Sequence, residues 1–274
     1  MAARFWVGGT GTWDTSDTTH WAATSGGAGG QSVPGAADTV TFDGGSGGGT
    51  VTAAATLTGV TSLTCGAFTG TLTFATNNPN FTVGTVSISG TGTRTINLGN
   101  GTWTITGVGT VWDAGTTTNL TFSANSSTLS FTGTSNVRTF QGGGLTYSTM
   151  TFSAVSGGIS TDWGSAFTAA TINLSSPLNL RLTGGITYTI SNAFTWAGSS
   201  SSNAINITST SSASAGNIAA GAAGSTITWA GLRFIVFTTN AVNATSSFNF
   251  GGNNMNGGSI TGPSGGGAIG VIGS

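Results

Sequence analysis

From Thr39 onward the chain is written in short runs that alternate apolar residues with Thr, Ser or Asn: TVTF at 39–42, TLTF at 71–74, TVSIS at 85–89, TRTINL at 93–98 and TWTIT at 102–106. Alternation with period two marks a strand with one buried face. The runs continue as NLTFSA, TLSFTG, ATINLS, AINITS and STITWAG, separated by Gly, Ser or Asn, so turns recur about every 8 to 12 residues. Helices are excluded by the same text. All five basic residues are Arg, all six acidic ones are Asp, and neither Lys nor Glu occurs, so no solvent-facing helical stripe can be written.

Gly at 48 of 274 positions raises the question of disorder. Disordered chains, however, lack aromatic and β-branched residues and carry high net charge. Here there are 15 Phe, 8 Trp and a net charge of −1, with 4% of residues charged, which points to folded β structure. Short strands at regular spacing fit a sandwich, a barrel or a solenoid, and a longer period decides among them. Taking Leu72, Ile96, Leu120 and Leu145 as equivalent inward positions gives steps of about 24 residues, the length of a three-strand coil; Ile172 and Thr195 continue the series. The expected fold is therefore all-β, a right-handed parallel β-helix (β-solenoid) with an N-terminal Trp-rich cap, a β-sandwich being the alternative. Solenoid ends expose strand edges and require caps. Residues 1–43 hold Trp6, Trp13, Trp21 and Asp38 and are read as the cap. Residues 44–252 form the degenerate coils, and 253–274 a Gly-rich tail.

The stretch FWVGGTGTWDTSDTTHWAATSGGAGGQSVPGAADTVTFD, with Trp13, Trp21, Pro34, Gly35, Asp38 and Phe42 as its fixed points, resembles the opening of repetitive β-helical proteins of phage virions and of autotransporter-type adhesin passenger domains. GNGTWTITGVGTVWD and TFQGGGLTYSTMTF are similar to coils of the phage members. The resemblance implies a structural virion surface subunit, a tail fibre, head fibre or capsid decoration, acting through assembly and host-surface adhesion. A secreted bacterial adhesin is the alternative; a carbohydrate-active tailspike or an ice-binding solenoid stands third. The opening MAARFWVGGTG lacks the apolar stretch of a secretory signal, so the expected location is the virion surface after synthesis in the host cytoplasm, or the extracellular space. A net charge near zero favours self-association or contact with other virion proteins, and a host-surface glycan or protein is a further expected partner. Nucleic acid would require a basic face, and no run approaches the ~18 apolar residues of a membrane span.

Little of the sequence reads as catalytic chemistry, and no enzyme activity and no cofactor are expected. Glycoside hydrolysis needs two carboxylates about 5 to 9.5 Å apart, and only Asp can serve. Asp113, Arg138 and Asp162 follow at intervals of about one coil, which predicts a structural ladder of alternating charge that pins three coils in register. Trp112 and Trp163 beside the two Asp are read as buried rather than as a sugar platform. Asp14, Asp17, Asp38 and Asp43 lack calcium-loop spacing and are read as turn caps, and His20 as a turn hydrogen bond. Cys65, alone in the chain, reads as a small core residue. An ice-binding face would need Thr at the same two positions of every coil, and the outward residues wander among Thr, Ser, Asn and Arg.

Overall fold

A computed structural model describes residues 1–134, 137–154 and 160–262. The chain is an all-β parallel solenoid, and the sandwich alternative falls because the ladders that stack the coils are parallel. One coil shows the plan. Arg94–Asn97 forms a first face, Thr102–Ile105 a second and Gly109–Asp113 a third. Leu120–Ser123, Thr128–Phe131 and Arg138–Gln141 then stack on the three in turn. Alternation sends every second side chain inward, so Phe81, Trp103, Leu129, Met150 and Ile172 form one buried column beneath the second face. Beneath the third face, Val40, Leu63, Val86, Trp112, Phe140 and Trp163 do the same. Rings within and between the columns meet edge to face, as with Phe81 and Trp103 at 5.1 Å and Phe140 and Phe167 at 5.1 Å, the arrangement that the ring quadrupole favours.

The coils differ in length, which corrects the fixed frame. Thr102 pairs with Thr128, 26 residues on, and Thr128 with Thr149, 21 on; Thr195 to Thr226 takes 31 and Thr226 to Asn243 takes 17. Hydrogen bonds register the strands while the turns absorb insertions. In Thr146–Phe152 and Phe167–Leu174 the first face runs into the second with no turn between them, so those coils are short. Leu72 does stack on Ile96 as expected, but Ile96 stacks on Phe122, and Leu120 stacks on Arg94.

The expected boundary at residue 43 does not separate a cap from the coils. Ala3–Trp6 pairs in parallel with Thr39–Thr41, which pairs with Val60–Thr64, and Gly11–Trp13 pairs with Thr50–Ala53. The first coil thus contains residues 3–13, and the segment up to Asp38 folds back over its open edge. There Trp21–Ala22 runs antiparallel to Phe5 and Trp6, closing the amino-terminal end. Trp6, Trp13, Trp21 and Phe42 are buried and packed together, with Trp6 and Trp21 edge to face at 5.1 Å. At the other end, Asn254 and Ile260 still bridge to Val236 and Ala244, so the coils pass the expected boundary at 252. Residues 263–274 of the Gly-rich tail lie outside the described residues.

Candidate functional site

The structure does not bring Asp113, Arg138 and Asp162 into a column. Arg138 alternates with Thr139 and therefore shares the inward side with Phe140; it is 1% exposed. Asp113 pairs with Gln141, and Asp162 with Thr139. The guanidinium instead donates to backbone: Nη1 to the Phe131 carbonyl at 2.7 Å and Nη2 to the Ser153 carbonyl at 2.9 Å. Nη2 also donates to Thr161 Oγ1 at 2.7 Å. Phe131 lies on its own coil and Ser153 and Thr161 on the next, so Arg138 does fasten the stack, through carbonyls and a hydroxyl rather than carboxylates. Burial pushes its pKa down to about 10, because a guanidinium without a counter-ion is penalised for leaving water.

Arg94 performs the same task at another corner, a role that the sequence reading missed. It is buried with Ile96 on its inward side, and it donates to the carbonyls of Ile88 at 3.0 Å, Gly92 at 2.8 Å, Thr118 at 3.1 Å and Thr116 at 3.2 Å. Desolvation lowers its pKa as well. The two arginines add donors to carbonyls at the corners of the coils, some of which also accept from a backbone amide.

The two acids of the expected ladder have other partners. Asp162 pairs across one rung with Arg181, whose Nε donates to Oδ1 at 2.8 Å and whose Nη2 meets Oδ2. That hydrogen bond raises the Arg181 pKa. Asp113 accepts from Ser87 Oγ at 3.1 Å and from the Gly115 amide at 2.9 Å. Trp112 and Trp163 are fully buried, so neither forms an exposed platform.

In the cap, Asp38 accepts from the Gly35 amide at 3.1 Å and the Ala2 amide at 2.7 Å, and these two bonds, in that order, hold its carboxyl below the usual range. Asp38 therefore ties the first strand to the turn that precedes the next rung. Asp14 accepts from the Ser16 and Asp17 amides, Asp17 from Thr19, and Asp43 from Gly45. Each acid thus serves its own turn, and among the described residues no three His, Cys or Asp side chains converge on a common point. His20 stacks on Trp6 at 4.5 Å, with Nδ1 2.9 Å from the Val7 carbonyl. Cys65 is buried, and desolvation pushes its thiol up to about 12, the profile of an inert core residue.

What remains for function is the surface of the three faces. Beyond the cap, the described charges that reach the surface are Asp113, Asp162, Arg181 and Arg233, and all lie on the third face. The first face is interrupted where Leu120–Ser123 ends one sheet. A cleft of about 390 Å³ opens there between Phe122, Asn125, Thr146 and Ser148. The second face is regular. Thr102, Thr128, Thr149 and Thr171 stack in one outward row. Thr82, Thr104, Ser130, Thr151 and Asn173 stack in the row beside it. The expected wandering of outward residues is on this face reduced to Ser130 and Asn173 in the second row. Comparison with protein families, with curated proteins and with solved structures gave no match.

Proposed function

We propose that the chain is a structural subunit of a virion surface, a phage fibre or decoration protein that works through assembly and through contact with the host surface. The observation that supports this reading is the segregation of charge. With the exposed ions of the coils gathered on the third face, the other two faces can meet a neighbouring surface without stripping water from an ion, the step that makes charged interfaces costly. A stack fastened at its corners by Arg94 and Arg138 supplies the stiffness that such a subunit needs. The resemblance of the opening segment to phage β-helical proteins points the same way.

The test is immunogold labelling of particles released by the source cells, together with sedimentation of the purified chain. Label on particles and a self-associated species are the expected results. Label on the cell envelope would favour the adhesin of the same architecture. A compact monomer at high concentration, with label only in the soluble cell fraction, would overturn the proposal.

A further inference from the structure

We infer that the second face binds ice, through its two rows of hydroxyl-bearing side chains. This inference stands independently of the assembly reading, since it rests on the register of one face. The rows hold Thr at Thr102, Thr128, Thr149 and Thr171, and at Thr82, Thr104 and Thr151, with Ser130 and Asn173 as the exceptions. The pattern resumes farther along the same side of the stack. Thr195, Thr226 and Asn243 form one row there, and Ala197, Thr228 and Thr245 the other.

Strand geometry sets the spacing of these groups. Neighbouring rungs lie ~4.8 Å apart, and residues i and i+2 of one strand ~6.7 Å apart, so the Thr side chains form a rectangular net. Both repeats fall within an ångström of repeats of oxygen positions on the prism plane of hexagonal ice. β-Branched Thr is held in few rotamers, so the net needs little ordering to meet a crystal. Each Thr offers a methyl group that orders adjacent water and a hydroxyl that can join it. Lateral bonds along the net, Thr226 to Thr195 at 3.3 Å and Thr228 to Thr245 at 3.4 Å, hold hydroxyls in line.

Two further observations favour crystalline water as the occupant. Among the described residues neither row contains a charged side chain, and charged groups hold tightly bound hydration that does not fit an ice lattice. The faces also differ. The third carries the ions, the second offers its rows over five consecutive rungs, and the first bears a similar pair, Thr50, Thr71, Thr95 and Thr121 beside Thr12, Thr52, Thr73, Asn97 and Ser123, which ends at the cleft beside Phe122.

The test is ice-affinity partitioning of the full chain, with recrystallisation of a frozen sucrose solution as a second readout. The wild type is expected to enter the ice fraction and to slow grain growth. The double variant Thr128→Tyr/Thr149→Tyr places two rings above the net and should lower partitioning by at least about tenfold, because protrusions exclude a planar partner. Thr208→Tyr on the third face should partition as the wild type does. Circular dichroism of every variant establishes that the fold is kept. Exclusion of the wild type from ice would overturn the inference, whether it sediments as a monomer or as an assembly. So would an equal loss in the folded third-face variant. Particle labelling is read separately, so failure here leaves the virion proposal standing.

Discussion

Replacing Arg138 tests whether buried guanidinium groups fasten the coils. In Arg138→Met the stem volume is retained and the donors are lost. The Phe131 carbonyl keeps a partner, the Ser153 amide at 3.0 Å, whereas the Ser153 carbonyl and Thr161 Oγ1 lose the guanidinium. A buried polar group left unpaired costs about 1–3 kcal/mol. Against this, removal of the charge relieves the desolvation that pushes the pKa down to about 10. The partners are neutral, so no orphaned charge remains, and the 3–5 kcal/mol typical of a broken buried ion pair does not apply. The net expectation is a loss of about 1–3 kcal/mol for Arg138→Met, and about 2 kcal/mol more for Arg138→Ala, which also empties the volume of the stem. Urea unfolding followed by Trp fluorescence and circular dichroism gives the values, with both probes used because stacked repeats can lose cooperativity. Double-mutant cycles with Asp113→Asn and Asp162→Asn should be additive within ~0.5 kcal/mol. Coupling beyond that would restore the charge ladder, and an Arg138→Met chain as stable as the wild type would refute the fastening role.

Three other outcomes are expected. Arg181→Ala should cost no more than about 1 kcal/mol and lose its effect in high salt, since the pair with Asp162 is on the surface; a larger loss in urea unfolding would contradict this. Gly143→Ala should destabilise by about 2–4 kcal/mol, because its φ is +64° and a Cβ there would lie 2.0 Å from the Ala114 carbonyl oxygen; a thermal midpoint equal to that of the wild type would count against the turn. Stability should fall above about pH 9. Burial pushes Cys65 and Tyr188 up to about 12 and raises Tyr147 too. The unfolded chain therefore releases these protons first, and the stabilisation present below the ordinary pKa values is lost as pH rises towards the folded ones. Arg138, whose pKa is lowered, opposes this above about pH 10, and Arg94, lowered as well, opposes it too, two bases against three acids. Thermal midpoints from pH 8 to 11 that stay level or rise would refute the expectation, and Cys65→Ala should flatten the earliest part of the decline.

Strands, parallel stacking and the closed amino-terminal end were legible because period-two alternation and clustered Trp are local signals. Register was not, because it depends on turn lengths. The step from Ile96 to Phe122 is two residues longer than the step from Leu72 to Ile96, and one such slip displaces every later row. The error at Arg138 was avoidable: in RTFQ, Arg138 has the same parity as Phe140, and in RTIN, Arg94 that of Ile96. An inward aromatic two residues away fixes an inward arginine. The rows on the second face were hidden for the opposite reason. Their regularity exists only in the hydrogen-bond register, and a frame of constant length scrambles it.

Stacking also accounts for the scarcity of charge that first suggested assembly. Like residues on adjacent rungs sit ~4.8 Å apart for the full height of a solenoid. Two equal charges at that distance repel by about 1 kcal/mol in water and by several at a partly buried surface, and each added rung adds another pair. The surviving ions obey this constraint. Asp162 stacks on Arg181, and Thr208 separates Arg181 from Arg233. Asp113 stacks between neutral Ser87 and Gln141. A low charge content is thus what the fold itself demands, and taken alone it carries no information about partners. The placement of the remaining charges does carry it. Avoiding repulsion would be satisfied equally well by ions scattered over all three faces, so their confinement to the third face needs a separate cause. A surface that must meet something planar and uncharged on the other two supplies one.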